Sequence, residues 1–211
     1  MINSITVNEQ SSIRIESGAV LRFDPFRIKG APHDADVIFI THSHFDHFSP
    51  EDIAKAAKDG TVFVAPESMA GDMKGIGIGG ERLVLMEAGE SREICGVPVE
   101  AVPAYNQLKP FHPRRNGWLG YVVTLGGSRI YVCGDTDDTP EARKVRCDIV
   151  CVPIGGTYTM DSKKAAAFVN ALSPKQAVPI HYGTVVGRPG DADDFERRVD
   201  RGIQVVRKIA F

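Results

Sequence analysis

Val37-Ile38-Phe39-Ile40-Thr41-His42-Ser43-His44-Phe45-Asp46-His47 is the stretch whose reading decides the fold. Its first four residues form a continuous apolar run, as expected of a strand covered on both faces. Directly after that run, where open α/β sheets place their ligands, three histidines and an aspartate fall between positions 42 and 47. The whole chain has only 6 histidines, so half of them are here. They cannot all be packed as core. A tight loop gathers side chains at i, i+2, i+4 and i+5 around a small volume, and imidazole with carboxylate suits zinc, iron or nickel.

Two later residues fit the same centre. Asp135 follows an apolar run in Val132-Cys133-Gly134-Asp135-Thr136, and His181 follows one in Pro179-Ile180-His181-Tyr182. Around them the chain alternates strand and helix signals. Strands are expected at 12–15, 20–23, 37–40, 61–65, 83–86, 97–102, 119–125, 129–133, 149–154, 177–180 and 204–209. Gly126-Gly127 marks a hairpin between two of them. Ser49 caps a helix that begins at Pro50 and ends at Gly60, and Asp161 caps another in which Ala165, Phe168, Val169 and Leu172 share a face. A last helix is expected from Asp191 to Arg201. The pattern predicts a layered α/β domain with mixed sheets, a single domain over residues 1–211.

Composition limits the function classes. With 211 residues, 43% hydrophobic and 25% charged, the chain can bury a core without disulfides. A formal net charge of −2 argues against a protein that covers nucleic acid or an anionic membrane. There is no signal-peptide pattern and no apolar run long enough to span a bilayer. The four cysteines form no CxxC pair, and Cys133 and Cys151 lie in apolar runs, so reduced thiols and a cytoplasmic location are expected.

Taken together, these residues resemble the metallo-β-lactamase fold superfamily, whose HxHxDH signature is met by His42, His44, Asp46 and His47. Asp24-Pro25-Phe26, Gly134-Asp135-Thr136, Pro153-Ile154-Gly155-Gly156-Thr157 and His181 follow in the family's order, and the likeness covers nearly the whole chain. It is nearest to the small prokaryotic metal-dependent hydrolase branch that includes ascorbate-phosphate lactonase-like proteins. The resemblance implies a four-layer αββα sandwich of two mixed sheets flanked by helices, with metals at one edge. It also implies His42 and His44 on a first metal, Asp46, His47 and His181 on a second, and Asp135 bridging. One or two divalent ions are expected, zinc first, with nickel, manganese or iron as alternatives.

One departure stands out. Where the family carries a further first-site histidine after a mid-chain strand, this chain reads Tyr105-Asn106, which predicts a weakened first site. His112, six residues further on in Pro110-Phe111-His112-Pro113, is expected at the rim, touching solvent or substrate; the alternative is that it swings in as the replacement ligand. The loop 105–117 carries Lys109, His112, Arg114 and Arg115, so an anionic group on the substrate is expected, with Asn106, His112 and Arg115 as substrate-binding residues. The function these features point to is hydrolysis of an ester, lactone or amide of a small anionic molecule by metal-bound hydroxide, with Asp46 holding the nucleophile. The alternatives are phosphodiester cleavage by the same fold and a non-catalytic metal-binding or sensor protein. A small-molecule substrate is expected, nucleic acid and membrane partners are not, and an oligomer is left open.

Overall fold

Alternation along two neighbouring strands explains why the apolar run before the histidines is buried on both sides. On β4 (Ala35–Phe39) and β5 (Ala57–Pro66), Val37, Phe39 and Val64 point into a core of 44 buried residues between two sheets. Their neighbours Ile38, Phe63 and Ala65 point the other way, into a smaller core with Ile53, Ala56, Met69 and Met73. Those residues belong to α1 (Pro50–Ala56), α2 (Ala70–Gly75) and the turn just before α2, which together cover the outer face. The computed structural model describes residues 1–211.

The first sheet has six strands in chain order: β1 (Ile5–Val7), β2 (Ile13–Glu16), β3 (Val20–Phe23), β4, β5 and β6 (Leu83–Met86). β1 to β3 pair antiparallel, and β3 to β6 pair parallel. The second sheet has seven: β7 (Ser91–Ile94), β8 (Val97–Pro103), β9 (Leu119–Leu125), β10 (Ser128–Val132), β11 (Ile149–Pro153), β12 (Gln176–Ile180) and β13 (Gln204–Val205). Here β7 to β10 are antiparallel and β10 to β13 parallel. Both sheets are therefore mixed. α3 (Ser162–Leu172) and α4 (Asp191–Arg198) cover the second sheet, burying Phe168, Val169 and Phe195. This is the αββα sandwich.

The sheets are joined near the histidine loop. Phe39 stacks on Phe23 at 4.6 Å and meets Tyr121 of β9 at 5.2 Å. The Tyr121 hydroxyl donates to the Ile40 carbonyl at 2.8 Å, and the Leu119 N–H donates to the Thr41 carbonyl at 3.1 Å. The loop after β4 is thus fixed to the second sheet as well as to its own. Asp52 steadies its far side. Buried in α1, it accepts from the N–H groups of Arg27 and Ile28 at 2.8 and 3.0 Å and from the Ser49 hydroxyl at 2.9 Å.

Several boundaries differ from those expected. The first helix ends at Ala56 because the chain enters β5 at Ala57, and Gly60, at φ +83°, turns the chain within β5 where its register with β4 slips. The last helix stops at Arg198. β13 stops at Val205, where Arg207 turns away to pair with Asp193 and Glu196 of α4. β1, β7 and α2 are additional short elements.

Candidate metal centre

His42, His44, Asp46 and His47 leave the end of β4, Asp135 follows β10, and His181 follows β12. The fold brings all six together at one edge of the two sheets. The potential ligand atoms form two groups: His42, His44, His112 and Asp135, and Asp46, His47 and His181. Asp135 connects them. Its Oδ2 lies 3.2 Å from His112 Nε2 and 3.2 Å from His181 Nε2, and its Oδ1 lies 3.3 Å from His47 Nε2. His181 Nε2 is also 3.2 Å from Asp46 Oδ2.

The position of His112 favours the second of the two readings left open by the sequence. It is not a rim residue: only 1% of it is exposed, and its ring faces those of His42, His44 and Trp118. The loop doubles back so that the Asn106 N–H donates to the His112 carbonyl at 2.8 Å, which puts position 112 beside position 106. Asn106 is buried as well, and its side-chain oxygen has no hydrogen-bond partner. Its buried amide nitrogen donates to the carbonyls of Phe111 and Tyr158 at 2.8 and 2.7 Å, holding the segment that carries His112. The first group is therefore not one imidazole short. His112 and His181 both have left-handed backbone, at φ +55° and +56°, a conformation that costs a non-glycine residue energy and clusters at functional sites.

Asp24, quoted in the sequence pattern without a role, orders the centre from behind. Fully buried, it accepts from the Thr41 N–H at 2.8 Å and the Thr41 hydroxyl at 2.6 Å, and lies 2.7 Å from His47 Nδ1. The Thr41 oxygen lies 3.0 Å from His42 Nδ1. Because the Thr41 proton goes to Asp24, its oxygen is free to accept from His42. The network therefore assigns a proton to Nδ1 of both His42 and His47 and turns Nε2 of both rings inward.

This arrangement fits a cation. His47 Nε2, His112 Nε2 and Asp135 Oδ1 are buried without a hydrogen-bond partner. His47 Nε2 and Asp135 Oδ1 face each other at 3.3 Å and need a positive charge between them, a metal ion or a second proton on the ring. At His47, burial opposes the charge, but Asp135 and Asp24 outweigh it and hold the ring well above the usual histidine range. Burial, followed by the neighbouring His47, holds His42 well below the usual histidine range, keeping its ring neutral as a ligand must be. Burial opposes the Asp135 charge, but the fields of His181 and His47 outweigh it and hold its carboxyl well below the usual range. The two groups are suited to one or two metal ions.

A cavity of about 280 Å³ opens onto the centre, lined by His44, Asp46, Asp135 and His181 and by Phe45, Phe111, Tyr158, Val185 and Val186. No lysine or arginine lines it. Arg115, expected to contact substrate, is exposed on the loop and lies outside the cavity wall. Lys109 is held by Asp137 and the Thr159 carbonyl, and Arg114 by Glu141. Two of the loop's three lysine and arginine side chains are thus held by carboxylates of a neighbouring segment, residues 137–141.

Comparison with known proteins agrees with this geometry. The profile described as Beta-lactamase superfamily domain matches residues 4–181. A UPF0173 metal-dependent hydrolase of Thermococcus kodakarensis is 31% identical over 211 residues, covering 91% of this chain and 90% of that protein. The chain belongs to this β-lactamase superfamily family. A UPF0173 metal-dependent hydrolase of Thermus thermophilus is 33% identical over 175 residues, covering 81% of this chain and 76% of its own. A crystal structure from Parabacteroides distasonis, described as that of a metal-dependent hydrolase, superimposes with a TM-score of 0.80 at 30% identity, over 98% of this chain and 93% of its own.

Proposed function

We propose that this protein is a metal-dependent hydrolase acting on an ester, lactone or amide bond of a small molecule. The observation that carries the reading is the pair of buried ligand groups sharing Asp135, with unpartnered acceptor atoms turned inward beside an open cavity. The hydrolase names of the family's members support it, and the narrower likeness to lactonase-like proteins adds the lactone to the set of bonds. The imidazole-rich donor set favours zinc, with nickel, manganese or iron as alternatives.

His42, His44, His112 and Asp135 would hold one ion, and Asp46, His47 and His181, with Asp135 shared, the other. When bound, such ions lower the pKa of water towards neutrality and polarise the oxygen that gains charge during attack. The chain's own residues supply the rest. Asp24 holds the Nδ1 proton of His47, and Asp46, in the cavity wall 3.2 Å from His181, orients the attacking water and takes up its proton. Water's oxygen joins the acyl carbon, the bond to the leaving group breaks, and the proton passes to that group.

The absence of lysine and arginine from the cavity supports a small-molecule substrate over nucleic acid. With His112 in the first group, the motive for a non-catalytic sensor is gone. No helix is long and apolar enough to cross a membrane, and the buried thiols of Cys133 and Cys151 suit a reducing compartment.

Removing metal tests the reading. Chelator-stripped protein is expected to lose hydrolysis of a panel of nitrophenyl esters and to regain it with zinc, manganese or nickel. Its melting temperature should fall as well, because the ion binds the folded state. Full activity after stripping verified by elemental analysis would overturn the assignment.

A further inference from the structure

The wall of the cavity says which side of a substrate it receives. Apart from the four residues of the metal centre, every lining residue is aromatic or aliphatic: Phe45, Phe111, Tyr158, Val185 and Val186. Phe45 and Phe111 are 67% and 45% exposed, which is unusual for large apolar side chains and concentrates uncovered apolar surface at the mouth. Phe111 is fixed edge-on to Tyr158 at 4.7 Å, and Phe45 edge-on to Phe26 at 6.0 Å.

The opposite wall is held in place from below. Gln10 is fully buried with its backbone at φ +52°, and its carbonyl accepts from the His181 N–H at 2.9 Å. With its side-chain oxygen turned to the 184–186 loop, it accepts from Thr184 Oγ1 at 3.1 Å and from the N–H groups of Val185 and Val186 at 2.6 and 3.3 Å. One residue thus ties the metal-ligand candidate His181 to the two valines that line the cavity. The pocket is therefore preformed, and its wall away from the metal centre offers no cation to a carboxylate or phosphate.

We propose that the cavity selects a neutral substrate whose apolar group, a short aliphatic chain or an aryl ring, packs between Phe45, Phe111 and the Gln10-anchored valines beside the scissile bond. This rests on the hydrolase reading and specifies its substrate class. A terminal carboxylate in that position would lose its water without gaining a partner. Each methylene buried there strengthens binding by about fourfold.

The test uses zinc-loaded protein, three neutral esters of increasing length, p-nitrophenyl acetate, butyrate and hexanoate, and an anionic ester matched in length to the last, the mono-p-nitrophenyl ester of adipic acid. The expected result is a kcat/KM about tenfold higher for butyrate than for acetate. The adipate ester should fall at least about tenfold below hexanoate. Phe111→Ala should flatten the dependence on chain length, and Phe111→Arg should raise the adipate ester relative to hexanoate. Binding gives a second readout that needs no turnover. Trp118, the only tryptophan, lies 4.9 Å from His44, so its fluorescence should report hexanamide binding more tightly than adipamate. If no ester is hydrolysed, the hydrolase reading fails, and the amide comparison still decides the present one. Preference for the anionic member in either series, or indifference to chain length, would overturn it.

Discussion

Asp135→Asn should remove metal and activity together, lowering kcat/KM by roughly 10³-fold or more, since it takes away several kcal/mol of charge stabilisation. Asp135 is the one side chain within 3.3 Å of histidines in both ligand groups, and it is 3% exposed. The substitution removes the negative charge and turns an N–H donor towards nitrogen atoms that would otherwise face a cation. Elemental analysis after dialysis and the rate on p-nitrophenyl butyrate measure the two effects. An Asp135→Asn protein that keeps its metal and stays within about tenfold of the original rate would show that the groups do not share this residue.

The second large effect belongs to a residue that touches no substrate. Asp24→Ala should weaken metal binding by about 10–100-fold, as loss of the group that orients a ligand does. Asp24 is bonded to Thr41 twice and to His47, and through Thr41 it sets the His42 ring as well. Its removal leaves His47 without an anchor and the Thr41 N–H without an acceptor, at a stability cost of about 3–5 kcal/mol for a broken buried pair. Should Asp24→Ala fail to fold, Asp24→Asn keeps an acceptor in place and should lose affinity less steeply. Competition with a chromophoric chelator measures the affinity. A folded Asp24 variant with unchanged affinity would contradict the role.

How much of this was readable in advance depended on whether the signal was local. His42 to His47 were legible because one short loop after an apolar strand contains them all. Asp135 and His181 were legible because each follows a buried run directly. His112 was legible only as an alternative to a rim position, since its place depends on a loop that folds back through a backbone hydrogen bond between positions 106 and 112. Aligning by distance from the strand puts Asn106 in the ligand position. The prolines at 110 and 113, which stiffen the chain on either side of His112, were the available sign that its position is built. Asp24 and Gln10 act on residues far along the chain, so no spacing rule reaches them. The charged loop misled for a related reason: composition shows that cations are present but not that Asp137 and Glu141 already hold two of them. Among the elements, β7 and α2 are too short for their periodicity to stand out.

His112 gives the first ligand group a third imidazole, and the expectation that follows is two tightly held ions rather than one tight and one weak. The direct measurement is the number of zinc ions bound per chain, by calorimetric titration of metal-free protein and elemental analysis, in the unmodified protein and in His112→Ala. The account predicts two tightly bound zinc ions in the unmodified protein and one in His112→Ala, with the Asp46, His47 and His181 group still occupied. A single tight zinc in both proteins, or two in both, would contradict it.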